Sequence, residues 1–213
     1  MKENTLFIFD LDGTLVDSAP TVLGIINKLR CERQLHSIFL SDVYPHLSTG
    51  GSQLIEKFVN AADSVEKTLE HFRTLYNEHT LDGELLYPGV IEFVYTLKQA
   101  GCRLAICSNK PTYLVDKVLR RHGLSANFDM VVGSSDVAAS KPDPEGLQKI
   151  LVYFGRSPTK TVMIGDSKSD QQAAARAGIP FYHHKQGYDD GVESDSVAKQ
   201  FDHYSDLTRL FNE

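Results

Sequence analysis

Two aspartates, Asp10 and Asp12, directly follow a short run of apolar residues near the start of the chain. The run, residues 6–9, is too short for a helix and is typical of a strand buried on both faces. If the backbone is still extended at its end, both carboxylates leave by the same face and repel each other unless a cation or a shared proton intervenes. Mg²⁺ prefers such oxygen ligands together with substrate phosphate. An ordinary strand-to-turn junction remains the alternative, because Asp and Gly are common turn residues.

Polar residues also follow later apolar segments that have the length of strands. They are Ser108 and Asn109 after residues 103–107, Lys141 in the loop beyond residues 128–132, and Asp166 after residues 161–164. Strands that alternate with helices imply a parallel sheet, and ligands bind in the crevice beyond the carboxyl ends of its strands. We therefore expect these side chains to gather beside Asp10 and Asp12.

The expected cluster suits phosphoryl transfer, whose transition state spreads negative charge over three oxygens. Mg²⁺ held by Asp10 and Asp166 would neutralise the phosphoryl group, and Lys141 would add a positive point charge. Asp10 can attack phosphorus to give an acyl phosphate, while Asp12 can protonate the leaving alcohol and later take a proton from water. The candidate phosphate-binding residues are Thr14, Ser108, Asn109 and Lys141, together with the backbone N–H groups of residues 10–14.

Each of these residue types also has an ordinary structural role. Ser108 can serve as a helix cap, Asn109 is a common turn residue, and Lys141 alone would be a typical surface lysine. Asp170, four residues after Asp166, has the place of an early-helix acid that interacts with the helix dipole. These alternatives stay open for each residue by itself, and the ordered combination favours a shared site.

Strand-like and helical segments alternate along most of the chain. The predicted strands are residues 6–9, 103–107, 128–132, 161–164 and 179–183, and the predicted helices are residues 20–33, 90–99, 111–123, 144–154, 169–177 and 205–211. Residues 35–85 differ, because their apolar residues have helical spacing and no strand-like run occurs among them. A crossover helix needs only a dozen or so residues, so this block is expected to form a separate lid.

The predicted fold is therefore α/β, with a Rossmann-like doubly wound parallel sheet as its core and an inserted small α-helical cap domain. We expect the core domain to comprise residues 1–16 and 86–213, and the cap domain to comprise residues 17–85. The sequence Ser-Thr-Gly-Gly-Ser at 48–52 lies between helices of the predicted cap. Our hypothesis is that this loop reaches the active site and contacts the part of the substrate beyond the phosphate.

Composition and charge narrow the class of protein. The 213 residues are 41% hydrophobic and 23% charged, as is usual for a soluble globular protein. The net charge of −6 argues against nucleic acid as a partner. No stretch reaches the roughly twenty apolar residues of a membrane span, and we expect no signal peptide. The three cysteines lack metal-binding spacing, so we expect reduced thiols in a cytoplasmic protein, either a monomer or a homodimer.

Four ordered motifs resemble those of the haloacid dehalogenase-like hydrolases, and the resemblance covers nearly the whole chain. The motifs are Asp-x-Asp-Gly-Thr at 10–14, the strand-end hydroxyl of Ser108, Lys141 before a proline, and Gly-Asp-Ser-x-x-Asp at 165–170. The wider stretches around them are most similar to the phosphoglycolate phosphatase-like branch, which carries a helical cap after the first motif. True dehalogenases lack the second aspartate, so Asp12 favours a phosphatase.

The resemblance also implies roles for the acidic residues. Asp10 corresponds to the nucleophile and Asp12 to the general acid and base. The family's Mg²⁺ ligands correspond to the Asp10 side chain, the Asp12 backbone carbonyl and the acidic residues of the fourth motif. Within that motif we expect Asp166 to bind the metal directly and Asp170 to orient Lys141 or a metal-bound water.

The predicted function is that of a Mg²⁺-dependent phosphatase acting on a small phosphate ester, with phosphoglycolate as the leading substrate and a phosphoaspartyl intermediate. A β-phosphoglucomutase-like sugar-phosphate mutase is the nearest alternative, because mutases of the same branch keep both aspartates. A pyrophosphatase or nucleotidase is a variant of the hydrolase interpretation. A non-catalytic protein that binds a phosphorylated ligand is disfavoured by the complete set of acids.

Overall fold

The computed structural model describes residues 5–59, 64–79, 83–155 and 160–212, with side chains as far as 209. The described strands are β1 (Leu6–Phe9), β2 (Val16–Asp17), β3 (Leu85–Leu86), β4 (Arg103–Cys107), β5 (Met130–Val132), β6 (Thr161–Gly165), β7 (Phe181–His184) and β8 (Lys199–Phe201). The described α-helices are α1 (Ala19–Glu32), α2 (Leu40–Val43), α3 (Gly51–Phe58), α4 (Val65–Glu78), α5 (Val90–Gln99), α6 (Thr112–Arg121), α7 (Glu145–Phe154), α8 (Lys168–Ala177) and α9 (Tyr204–Asn212).

Six of the described strands form one parallel sheet in the order β5-β4-β1-β6-β7-β8. The strand β1 is central, and its residue Phe7 pairs with Leu104 of β4 on one side and Val162 of β6 on the other. This arrangement confirms the predicted parallel α/β fold. The strand β8 was not predicted, and β7 begins two residues later than the pattern indicates.

Both faces of the sheet are buried, as the apolar runs predict. Phe7 and Phe9 belong to a hydrophobic cluster on one face, together with residues of α5 and α6. Leu6 and Ile8 point to the other face, where they join residues of α7 and α8. Alternate residues of one strand therefore fill two separate cores, which is the packing of a doubly wound sheet.

Four helices, α1 to α4, lie between β1 and α5 in the chain, and they pack on one another. Their buried apolar residues continue the cluster that contains Phe7, so one hydrophobic core extends from the sheet into this helical segment. The strands β2 and β3 form a two-stranded antiparallel ribbon in which Val16 pairs with Leu86. This ribbon brings together the two positions at which the sequence predicts that the chain leaves and re-enters the core.

The described residues also bear on two compositional predictions. Cys31, Cys102 and Cys107 are free thiols, and the last two are buried. Among the residues described, every helix falls short of the length and apolar character required to cross a bilayer.

Candidate active site

Residues that the sequence predicts to form a site do converge beyond the carboxyl ends of β1, β4 and β6. Asp10 follows β1, Ser108 follows β4, and Asp166 follows the last residue of β6. Because β1 lies between β4 and β6 in the sheet, these three residues are brought to one edge. A cavity of about 100 Å³ opens there, and the predicted residues among its lining are Asp10, Asp12, Ser108, Asn109 and Lys141.

Lys141 is held between two buried carboxylates. Its Nζ lies 2.8 Å from Asp10 Oδ1 and 2.6 Å from Asp170 Oδ1, and the lysine side chain is only 3% exposed. Although burial opposes the charged form, the two carboxylates raise the pKa of Lys141. The ammonium group therefore stays charged and is held in a fixed position beside Asp10, whereas the ammonium of an isolated surface lysine would be charged but mobile.

Burial dominates the electrostatics of Asp10. Loss of water, followed by the nearby Asp170 carboxylate, raises the pKa of Asp10 from 3.8 to about 7, and Lys141 only partly offsets this rise. The same two causes, burial and then Asp170, raise the pKa of Asp166. Both shifts mean that the ionised forms of Asp10 and Asp166 are destabilised in this environment unless a further cation is present.

Asp170 lies at the start of α8, and both of its oxygens are engaged by the protein. Its Oδ2 accepts hydrogen bonds from Ser167 Oγ at 2.6 Å and from the Ser167 N–H at 3.1 Å, in a capping box at the N-terminus of α8. Its Oδ1 accepts from Lys141 Nζ. A carboxylate whose two oxygens are fixed in this way is suited to orient the lysine.

Three buried carboxylates, those of Asp10, Asp166 and Asp170, form the group that could hold a metal ion among the described residues. One oxygen from each lies within 4.8 Å of the others. The described cation that pairs with them is the single ammonium of Lys141, so full ionisation of the three carboxylates would leave a formal excess of two negative charges. A hard divalent cation with oxygen ligands fits both the donor set and the charge.

The hydroxyl of Thr14, a candidate phosphate-binding residue, contacts a carboxylate in the structure. It donates a 2.7 Å hydrogen bond to Asp166 Oδ1, and the residue is fully buried rather than part of the cavity lining. The physical reason is the tight turn after β1, in which the N–H groups of Thr14, Leu15 and Val16 donate to the carbonyl of Leu11. In this conformation the Thr14 hydroxyl is placed to orient Asp166.

Ser108 and Asn109 line the cavity, and both also support the loop after β4. Ser108 Oγ accepts from the Lys110 N–H at 3.2 Å. Asn109 Nδ2 donates to the Lys141 carbonyl at 3.0 Å and so links this loop to the loop that carries the buried lysine. Their local structural roles and a role toward a ligand are therefore compatible.

Sequence reasoning missed the contribution of the loop after β7. The Tyr188 N–H donates to Asp166 Oδ2 at 2.8 Å, so that carboxylate is held from both sides by residues 14 and 188. A Cβ atom on Gly187 would lie 2.2 Å from Asp166 Cβ and 2.3 Å from the Gly13 carbonyl oxygen. Only a glycine allows this approach, and the adjacent Gly187 and Tyr188 were the available signal in the sequence.

Lys110 was also missed as a member of the site. Its Nζ donates to Asp12 Oδ1 at 2.6 Å and to the Tyr76 hydroxyl at 2.6 Å. Asp12 is more exposed than Asp10, with 22% of its side chain accessible. Asp12 therefore faces the cavity with one carboxylate oxygen paired to a lysine from the neighbouring strand end.

Comparisons with known proteins show the family of this chain. A family model described as haloacid dehalogenase-like hydrolase matches residues 7–183. The phosphoglycolate phosphatase of Caulobacter vibrioides is 34% identical over 178 residues, which are 81% of this chain and 75% of that protein. The phosphoglycolate phosphatase of Colwellia psychrerythraea is 30% identical over 218 residues, which are 97% of this chain and 96% of that protein.

The structural comparison extends over the same length. The crystal structure of a predicted phosphoglycolate phosphatase from Haemophilus somnus matches with a TM-score of 0.90 and 28% identity, and the match covers 99% of each chain. The chain therefore belongs to the haloacid dehalogenase-like hydrolase family, and within it to the branch of phosphatases that resemble phosphoglycolate phosphatase.

Proposed function

We propose that this protein is a Mg²⁺-dependent phosphatase that hydrolyses a small phosphomonoester, with phosphoglycolate as the leading substrate. The observation that carries the proposal is the convergence of Asp10, Asp12 and Lys141 on one small cavity, beside three buried carboxylates that share a single ammonium. The names of the relatives support the choice of substrate.

In this proposal, Asp10 is the nucleophile. A bond forms between its carboxylate oxygen and phosphorus while the bond from phosphorus to the leaving oxygen breaks, and Asp12 donates a proton to that oxygen. Asp12 then takes a proton from water as the water attacks the acyl phosphate, which releases inorganic phosphate and restores the Asp10 carboxylate. The cavity contains both side chains, so both steps can use the same two residues.

Asp10 and Asp166 would hold Mg²⁺, with the Asp12 backbone carbonyl as a further ligand. When bound, the ion supplies positive charge that compensates the carboxylates and the phosphoryl oxygens. Lys141 supplies a second, permanent cation, and Asp170 acts by fixing that lysine rather than by binding the metal. Ser108 and Asn109 would contact phosphate oxygens from the β4 side of the cavity.

Residues 17–85 would act as a cap over the core formed by residues 1–16 and 86–213. Ser48, Gly50 and Gly51 of this segment are among the residues that line the cavity, and this supports the loop hypothesis. Closure of such a cap over a small ester would exclude water and shape the space beyond the phosphate.

Arg73 of α4 is the candidate group for a substrate carboxylate. It lines the cavity, as do Lys110 and Lys141, which are both ion-paired with carboxylates. For Arg73, no ion pair with another described residue is found. An arginine that keeps its donors available suits a planar carboxylate, which it can bind through two hydrogen bonds.

Phosphate release from a panel of phosphorylated metabolites, with and without Mg²⁺, tests the proposal. We expect phosphoglycolate to be hydrolysed in a Mg²⁺-dependent reaction, and Asp10→Asn to abolish turnover while leaving the circular dichroism spectrum unchanged. Conversion of a sugar phosphate to its isomer without release of phosphate would instead show a mutase. Mg²⁺-independent hydrolysis, or full activity of the Asp10→Asn variant, would refute the mechanism.

A further inference from the structure

Lys110 joins the loop after β4 to a helix of the proposed cap. Its Nζ lies 2.6 Å from Asp12 Oδ1, 2.6 Å from the Tyr76 hydroxyl and 4.3 Å from the centre of the Tyr76 ring. Only 9% of the lysine side chain is exposed. Tyr76 lies near the C-terminal end of α4, so a single ammonium group contacts both the candidate general acid and the helical segment above it.

The backbone of Lys110 is firmly placed. Its N–H donates to Ser108 Oγ at 3.2 Å, and its carbonyl accepts from the Ser134 N–H at 3.1 Å. A Cβ atom on Gly133 would lie 2.6 Å from that carbonyl oxygen, so the two loops approach as closely as their backbones allow. The lysine side chain therefore extends from a rigid base in the core toward the cap.

The hydrogen bonds beyond Lys110 continue in one direction. The Tyr76 hydroxyl accepts from the lysine and donates its own proton to Glu84 Oε1. Glu84 is 2% exposed and directly precedes β3, which is half of the ribbon between core and helical segment. A buried polar chain therefore runs from Asp12 to the connection about which a cap would move.

We propose that Lys110 is a positioning residue, which holds the Asp12 carboxyl in the orientation for proton transfer when α4 is seated with Tyr76 against the lysine. This inference rests on the proposed function, in which Asp12 protonates the leaving group. An ammonium can donate three hydrogen bonds, and two of them go to Asp12 and Tyr76. Movement of α4 away from the core would remove the tyrosine and leave Asp12 less firmly oriented.

Lys117 offers a matched control. It lies on α6, and its Nζ donates to the carbonyls at the C-terminal end of α4, at 3.1 Å for Tyr76 and 2.6 Å for His79. It therefore also ties the core to α4, but in the part of the chain that the structure describes it has no contact with Asp12. A general weakening of the contact between core and α4 should affect variants of either lysine.

The test compares esters that differ in their need for a general acid. The leaving groups of ethyl phosphate and phosphoglycolate are alkoxides, which require a proton. The leaving group of p-nitrophenyl phosphate is p-nitrophenolate, a stable anion. We expect Lys110→Met to lower kcat/KM about 10- to 100-fold for both alkyl esters, within the range that general acid catalysis contributes, and to change kcat/KM for the aryl ester less than about 3-fold. Asp12→Asn should show the same pattern.

Further variants separate the roles of the lysine. Lys110→Arg should recover part of the loss, Tyr76→Phe should give a smaller loss with the same preference for the aryl ester, and Lys117→Met should change all three substrates alike. If Lys110→Met fails to fold, the Lys110→Arg and Tyr76→Phe variants carry the comparison.

Each other outcome has a distinct meaning. An equal loss on alkyl and aryl esters would overturn the positioning role, since it would leave Lys110 as a tether like Lys117. A loss confined to phosphoglycolate, with ethyl phosphate unaffected, would also overturn it and make Lys110 a ligand of the substrate carboxylate. Absence of hydrolysis of every ester by the unmodified protein would instead refute the proposed function.

Discussion

Replacement of Thr14 by valine distinguishes two roles for this residue. The sequence predicts a contact with phosphate, whereas in the structure the hydroxyl donates to Asp166 Oδ1 at 2.7 Å with both residues buried. Valine keeps nearly the same shape and puts a methyl group in place of the hydroxyl. The candidate metal ligand Asp166 then loses one of its two orienting donors and keeps the Tyr188 N–H.

The size of the effect follows from the position of this hydrogen bond. Loss of a partner that orients a metal-binding carboxylate typically weakens metal affinity about 10- to 100-fold, which is roughly 1.4–2.7 kcal/mol. Burial already raises the pKa of Asp166, and loss of the hydroxyl donor should raise it further. Both changes disfavour the ionised ligand, so the Mg²⁺ concentration for half-maximal activity should rise by that factor, while KM at saturating Mg²⁺ stays the same.

The assay is phosphate release from phosphoglycolate over a range of Mg²⁺ concentrations, with a calorimetric Mg²⁺ titration as a check that does not depend on turnover. Thr14→Ser is the matched control, because it keeps the hydroxyl and loses only a methyl group. A raised KM with unchanged Mg²⁺ dependence in Thr14→Val would refute the orienting role and restore the phosphate contact. Equal impairment of the serine variant would show that packing, not the hydroxyl, matters.

Two further predictions concern the same carboxylates. The folded-state pKa of Asp10 is raised from 3.8 to about 7, so this group makes the metal-free protein less stable as pH rises across that interval, and the stabilisation by Mg²⁺ should grow in the same direction. A Mg²⁺-induced increase in Tm that is the same at about pH 5.5 and about pH 8 would contradict this. Gly187→Ala should weaken Mg²⁺ binding at least about 10-fold because its Cβ would lie 2.2 Å from Asp166 Cβ. Gly24→Ala should leave Mg²⁺ binding unchanged, because Gly24 is an exposed position of α1 where a Cβ would have no atom within 4 Å.

Local patterns predicted the sheet because its central strands are short, apolar and bounded by polar turns. The observed β1 and β4 coincide with the predicted segments, and their ends had to meet once the sheet was parallel. β8 escaped prediction because it is a three-residue edge strand with two polar residues, Lys199 and Gln200. Such a strand forms because it pairs with its neighbour β7, and its own sequence is too short and polar to show a strand pattern.

The parts of the site that sequence reasoning missed are tertiary contacts between distant segments. Tyr188 and Asp166 are 22 residues apart, and Lys110 and Asp12 are 98 apart, so no local spacing connects them. The contact of Thr14 with Asp166 was not predicted for a related reason. A hydroxyl beside two aspartates suggests a ligand contact, but the turn after β1 directs it toward the strand end of β6.

The carboxylates of the site fall into two groups: Asp170, which the protein itself compensates, and Asp10 with Asp166, which it compensates only in part. Asp170 has both oxygens engaged, one by Lys141 and the other by the N-terminus of α8, so its charge is compensated by the protein itself. Asp10 and Asp166 remain, and burial makes both reluctant to ionise. Two carboxylates carry the charge that one divalent cation balances, so the cation would both lower the cost of their burial and leave Asp10 ionised. The same burial that destabilises the metal-free site raises the pKa of the proposed nucleophile to about 7, so a bound divalent cation would increase its ionised fraction near neutral pH.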